Sequence, residues 1–121
     1  MWTFTAYILW KLSRAKGSNK IRFSELVHFM FDILWKRYKM ALNDSSKELE
    51  REVKYLEELG AVKFNESKEI IINENELKRI AQVVEHSSLK DQLVLYEEYL
   101  NRIKQAIEKD YKVMLRNIYT P

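Results

Sequence analysis

The chain of 121 residues has no cysteine, only two glycines, and a single proline that is its last residue. Without cysteine there is no disulfide, no thiolate metal site and no cysteine nucleophile. Nothing requires an oxidising compartment, and the cytoplasm is the expected location. Few glycines and prolines leave few places for the backbone to break, and with Lys, Glu and Ile abundant the chain should be mostly helical. Long apolar runs are also missing. The first segment, "MWTFTAYILW", is only about ten residues long, has no basic stretch before it and no small-residue cleavage site after it. It reads neither as a signal peptide nor as a membrane span. The run "LVHFMFDILW", from Leu26 to Trp35, contains His28 and Asp32 and falls well short of the ~20 residues that cross a bilayer. A helix buried on several sides is the expectation, and no membrane partner is expected. No Gly-rich phosphate loop, nucleophile elbow or HExxH motif occurs, so neither enzymatic activity nor a cofactor is expected.

What is present is ordinary globular material, 46% hydrophobic, of a length suited to one compact domain with an appended helix. The abundance of Lys and Glu leans towards a thermophilic host. The net charge of +3 is unevenly spread: residues 1–42 carry eight basic against two acidic side chains, 43–86 seven against eleven, and 87–121 six against five, giving +6, −4 and +1. A basic block of this kind attracts polyanions, while the modest total means that any nucleic-acid contact must come from a local patch.

Phe4, Ile8, Leu12 and Ala15 repeat at helical spacing, and "KGSN" (Lys16 to Asn19) closes a first helix running from about Trp2 to Lys16. "KIRF" (Lys20 to Phe23) alternates like a short strand, and Ser24 is suited to cap a second helix that starts at Glu25 and continues to about Met40. Ser45 with Glu48 three positions on forms a capping box for a third helix that stops before Gly60. "AVKF" and "EIII", joined by "NESK", form a β-hairpin. Asn73 with Glu76 repeats the capping pattern ahead of a short amphipathic helix through Leu77, Ile80, Ala81 and Val84. From there Leu89, Leu93, Tyr96, Leu100, Ile103, Ile107, Tyr111, Met114 and Ile118 trace a heptad seam with one stutter. A helix of about thirty residues reaches ~45 Å, more than so small a domain covers by itself, and so points to a partner, most simply the same helix of a second chain.

The order helix, short strand, helix, turn, helix, hairpin resembles the winged-helix DNA-binding fold. "ILWKLSRAKGSNKIRFSEL" is similar to the first helix, first strand and entry to the second helix of winged-helix regulators. "LEREVKYLEELGAVKF" is similar to their recognition helix, glycine stop and first wing strand, with Leu49, Val53, Leu56, Leu59, Gly60 and Val62 on the usual apolar and glycine positions. The resemblance spans about residues 5 to 73. A wing followed by a long terminal helix looks like ArsR-like, PadR-like and archaeal coiled-coil winged-helix regulators. With no cysteine and only His28 and His86, metal sensing of the ArsR type has no support. The resemblance implies a mainly α fold with a small β wing, a winged-helix domain at 1–86 and a C-terminal dimerisation helix at 87–121. It further implies a homodimer that binds double-stranded DNA and regulates transcription.

The third helix nevertheless carries five glutamates between Glu48 and Glu58. At ~100° per residue, with Leu49 at the centre of the buried side, Lys47, Arg51 and Lys54 fall opposite it together with Glu58, while Glu48, Glu50, Glu52 and Glu57 lie on the flanks. The exposed ridge is therefore basic through its first two turns, the part of a recognition helix that meets base edges. Intrahelical pairs, Glu50 with Lys54 and Glu48 with Arg51, would neutralise much of it. If DNA is bound, Ser45, Ser46, Lys47, Arg51 and Lys54 contact the major groove, and Lys63, Lys68 and Arg37 meet phosphates. The competing expectation is a winged-helix interaction module, in a replication, transcription or other nucleoprotein assembly, whose acidic middle block binds a basic protein. His28 and Asp32 share a helix face but lack the further ligands of a metal site, so His28 is expected to be a satisfied core histidine. Trp2, Trp10 and Trp35 are expected to serve the core rather than a ligand pocket.

Overall fold

The computed structural model describes residues 2–86 and 94–119. Helix α1 (Trp2–Lys16) ends on Gly17, whose φ of +70° lets the amides of Gly17 and Ser18 turn back onto the Ser13 carbonyl. Strand β1 (Lys20–Arg22) follows. It leads into a long second helix, α2 (23–38), which is α-helical over Phe23–Val27, π-helical over His28–Trp35 and α-helical over Lys36–Tyr38. Lys39, in the left-handed region at φ 56°, closes it, and the Met40 N–H reaches back to the Leu34 carbonyl at 3.0 Å. Helix α3 (Ser46–Glu58), strands β2 (Val62–Phe64) and β3 (Glu69–Ile72), and helix α4 (Glu74–Glu85) complete the first part of the chain. The last helix, α5 (94–119), is α-helical over Val94–Ala106, π-helical over Ile107–Tyr111 and α-helical over Lys112–Tyr119.

The chain is thus mainly helical with one small antiparallel sheet, ordered β1-β3-β2. In that sheet Ile21, Ile70 and Phe64 line up across the strands on the inner face, with both isoleucines fully buried. The strand periodicity of two then puts Lys20, Ile71 and Lys63 in one row on the outer face.

One core runs through all the helices and the inner face of the sheet. Helix α1 is its axis: Phe4, Ala6, Tyr7, Ile8, Leu9 and Leu12 are all buried, and the helix packs against α3, α4 and α5. Leu49, Val53 and Leu56 bury the expected stripe of α3, and Leu77, Ala81 and Val84 that of α4.

Helix α5 contributes Leu100, Ile103, Ala106, Ile107 and Tyr111 to this same core. The Tyr111 ring meets Phe29 edge-on at 5.9 Å and its hydroxyl donates to Glu25 at 3.1 Å. Arg37 pairs with Asp110, and Tyr38 Oη donates to Asp110 at 2.6 Å. The seam from Leu100 to Tyr111 is therefore covered by the chain's own α1 and α2, and its buried residues offer no free face to a second chain. Helix length alone pointed to a partner because it does not reveal that α2 is long enough to pair with α5. Met114 is half-buried, while Leu89, Leu93 and the side chains of Tyr96 and Ile118 lie outside what is described.

Two capping expectations also need correction. Helix α2 starts at Phe23, ahead of where a Ser24 cap would place it, and its first residue is preceded by Arg22 with no side-chain cap. The Phe23 N–H is instead satisfied by the Lys68 carbonyl across the sheet, at 2.8 Å. Asn73 does sit at the cap of α4, but its side chain donates to the Gly60 carbonyl at 3.0 Å rather than accepting from the helix.

Candidate nucleic-acid interface

Helix α3 begins as its sequence dictates. Ser45 takes an extended conformation (ψ 164°) and its hydroxyl accepts from the Glu48 N–H at 3.3 Å, while the Glu48 carboxylate reaches back to the Asp44 N–H at 3.2 Å. The reciprocal half of the capping box thus closes one residue earlier than the simplest pattern. At the other end Gly60, at φ +77°, lets the Ala61 N–H return to the Leu56 carbonyl at 2.9 Å and the chain enter β2.

Ser45, Ser46, Lys47, Arg51 and Lys54 all lie on the exposed side of α3. The flanking glutamates have separate tasks. Glu48 caps the helix. Glu50 accepts from Lys68 of the hairpin at 2.5 Å and lies 3.9 Å from Lys54. Glu52 turns inward and accepts from the Thr5 hydroxyl of α1 at 2.8 Å and from the Asn43 side-chain amide. Glu57 accepts from the Phe64 N–H at 2.8 Å, occupying an edge donor of β2, a strand that among the described residues has no neighbour on its outer side. Of the two intrahelical pairs expected, Glu50 with Lys54 forms at long range, and Glu48 is engaged with the turn rather than with Arg51.

The hydrogen bond from Lys68, helped by the charges of Lys68 and Lys54, holds the Glu50 carboxyl below the usual carboxylate range. Lys68 is held on the hairpin at φ +62° with its ammonium 5.3 Å from the Phe64 ring centroid. Arg37 is committed to Asp110 of α5 and so stands apart from the cations of α3 and the hairpin. Lys47, Arg51 and Lys63 are exposed, and among the described residues they form no ion pair.

The sheet adds two cations that reading the sequence in order did not single out. Lys20 and Arg22 flank the buried Ile21 on β1 and are exposed. Antiparallel pairing through β3 sets Lys20 in the row of Lys63, two strand spacings or ~10 Å away. The alternation in "KIR" carried the signal that both side chains share a face. That this face continues the hairpin required the pairing.

His28 is not a core residue. It is exposed, its Nδ1 lies 2.7 Å from Asp32 Oδ2, and Asp32 also meets Lys36 at 3.3 Å, an i, i+4 ladder on the outer side of α2. These contacts, led by the His28 hydrogen bond, hold Asp32 below its ordinary range. Trp2 and Trp10 are half-buried against the core as expected, whereas Trp35 is 49% exposed. Among the described residues no three metal-ligating side chains converge, and no helix is long and apolar enough to cross a membrane. No family model, curated protein or solved structure matches this chain.

Proposed function

We propose that this chain is a winged-helix protein that binds double-stranded DNA, with α3 entering the major groove and the sheet's outer face following the backbone, and that it regulates transcription by doing so. The observation that carries this reading is the division of charge on α3 and the sheet. Lys47, Arg51, Lys63, Lys20 and Arg22 are exposed and form no ion pair among the described residues, and Glu48, Glu50, Glu52 and Glu57 are each tied to the turn, the hairpin or α1; Glu58 on the same side of α3 and Glu69 across from Arg22 are the acids that stand among these cations. The element order agrees with the resemblance read from the sequence. At 13 residues α3 is ~20 Å long, and a helix of that kind fits the ~12 Å width of the major groove. Phosphate contacts from the sheet would set register, and base contacts from the first turns of α3 would set specificity. The C-terminal seam, covered within the chain, takes no part in this.

Fluorescence anisotropy of a labelled duplex across a salt series tests it. Wild type should bind at ~50 mM salt, and changing Lys47, Arg51 and Lys63 together to Ala should weaken binding and reduce the slope of log K against log salt by roughly 0.9 for each phosphate that is no longer neutralised. All three side chains are exposed, so the fold should survive the change. Absence of binding at low salt would overturn the proposal, and an unchanged slope would remove these three residues from the interface.

A second reading rests on the other end of α3. Tyr55 and Leu59 are 40% and 42% exposed, and Tyr55 stacks edge-on with Trp2 at 5.1 Å beside a shallow cleft that also involves Arg51. Exposed aromatic anchors on a helix are what protein partners use, which favours an interaction module in a nucleoprotein assembly. A Tyr55→Ala variant that binds DNA normally would separate this surface from the DNA-binding one.

A further inference from the structure

Helix α3 and the hairpin are bridged by one carboxylate. Glu50 lies on the hairpin side of α3, ~100° around the helix from the buried Leu49, and its Oε1 accepts from Lys68 Nζ at 2.5 Å. Lys54, one turn further along, comes no nearer to the same oxygen than 3.9 Å, beyond hydrogen-bond reach. Two ammonium groups therefore converge on a single oxygen. The acid is inboard and the cations are outboard: the Glu50 side chain is 26% exposed, against 63% for Lys54 and 60% for Lys68.

This bridge leaves the lysines underused. Two positive charges face one negative charge, and Lys54 gains attraction from Glu50 without a hydrogen bond. A phosphodiester carries two unesterified oxygens on one tetrahedral centre, so it would give each ammonium an acceptor of its own. Its place on the protein also agrees. With α3 in the major groove and the sheet along the backbone, the phosphate strand that borders the groove passes between helix and hairpin, where these two cations stand.

We propose, resting on the DNA-binding reading, that Lys54 and Lys68 form a subsite for one backbone phosphate and that the Glu50 carboxylate occupies the place of that phosphate in the free chain. DNA must displace Glu50 to use the subsite, so Glu50 lowers affinity. A tie that only holds α3 to the hairpin predicts the opposite sign, because loosening it would weaken binding.

The test is fluorescence anisotropy of a labelled duplex across a salt series, using the full chain as wild type, Glu50→Gln, Lys54→Ala with Lys68→Ala, and all three changes together. Glutamine keeps an oxygen that accepts from Lys68, and a thermal melt checks that each chain is folded. Glu50→Gln should bind about fivefold tighter or more at ~50 mM salt and steepen the slope of log K against log salt by roughly 0.9, one further phosphate. The gain should vanish where both lysines are Ala. Inorganic phosphate, matched in ionic strength, should compete no better than chloride. Unchanged or weaker binding by Glu50→Gln, with wild type still bound, would overturn the subsite and leave the DNA reading standing. An equal gain without the two lysines would overturn it as well, since removing any acid near DNA would then suffice. Competition by inorganic phosphate would overturn the backbone assignment in favour of a free phosphate. No binding by any of the four chains would overturn the DNA reading and the subsite together.

Discussion

Ile103 is fully buried in a heptad seam that a second chain would also have been able to cover, so replacing it separates the two accounts of α5. If the seam belongs to the chain's own core, Ile103→Ala removes three methyl or methylene carbons from a closed site bordered by other core helices. The lost transfer energy and the residual cavity together cost about 2–5 kcal/mol for an Ile→Ala change, and a fully buried position belongs in the middle of that range. Unfolding entropy of roughly 2.1 cal/mol/K per residue gives about 0.25 kcal/mol/K for 121 residues, so a ~3 kcal/mol loss lowers Tm by about 12 °C. The assay is a thermal melt followed by circular dichroism at two widely separated protein concentrations. The drop should be the same at both, because an intramolecular core has no concentration term, whereas a seam between chains makes Tm rise with concentration. A wild-type Tm that climbs with concentration, and a dependence that disappears in Ile103→Ala, would refute the assignment of this seam to the chain's own core.

Two further outcomes follow from local geometry. Gly60→Ala should destabilise by about 1–2 kcal/mol in urea denaturation, since φ is +77° and an added Cβ would meet nothing within 4 Å, leaving backbone strain as the sole cost; Gly60→Asn should cost less, because asparagine tolerates that region. Burial, then the hydrogen bond to Asp110, pushes the Tyr38 hydroxyl up from 10.0 to about 12. A raised folded-state value favours the native state fully below the unfolded value of 10.0, and this contribution is lost as pH rises towards about 12. In an alkaline absorbance titration Tyr38→Phe should therefore remove a late-ionising tyrosine. Loss of one that ionises in the ordinary range would contradict the half-buried pairing with Asp110.

What the sequence disclosed was whatever is encoded locally. The glycine after α1, the Ser45–Glu48 pair, the Gly60 stop and the alternation in "VKF" and "EIII" each act within a few residues, and each element formed where those signals put it. Apart from the Ser24 and Asn73 caps, whose roles are taken by contacts across the sheet and to Gly60, the errors were of another kind. The apolar neighbours of His28 suggested burial, yet in a helix with Leu26, Phe29, Met30, Ile33 and Leu34 buried the ladder of His28, Asp32 and Lys36 is what remains outside. The spacing of four put His28 and Asp32 on one face; the density of apolar residues around them wrongly suggested that this face is the inner one. The heptad seam stated correctly that Leu100, Ile103 and Ile107 would be buried and could not state against what. Periodicity reports a covered stripe, and intramolecular and intermolecular covers leave the same repeat. Arg37 with Asp110, and Lys68 with Glu50, join residues 73 and 18 positions apart, so no local rule assigns those cations to acids rather than to phosphates.

The glutamates of α3 follow from the same distinction between charge and placement. A helix that had only to present Lys47, Arg51 and Lys54 to a polyanion would gain by having no acids at all. The carboxylate of Glu52 has a different duty: it accepts from Thr5 of α1 and from Asn43 of the turn, so it fixes α3 against both elements that determine its direction. Leu49, Val53 and Leu56 bury the stripe but, being apolar, permit sliding along α1. Hydrogen bonds with defined partners do not. Glu57 and Glu50 make the equivalent ties to the hairpin, through the Phe64 N–H and Lys68. Four of the five acids of α3, all but Glu58, are thus groups that hold it at a set angle between α1, the turn and the sheet.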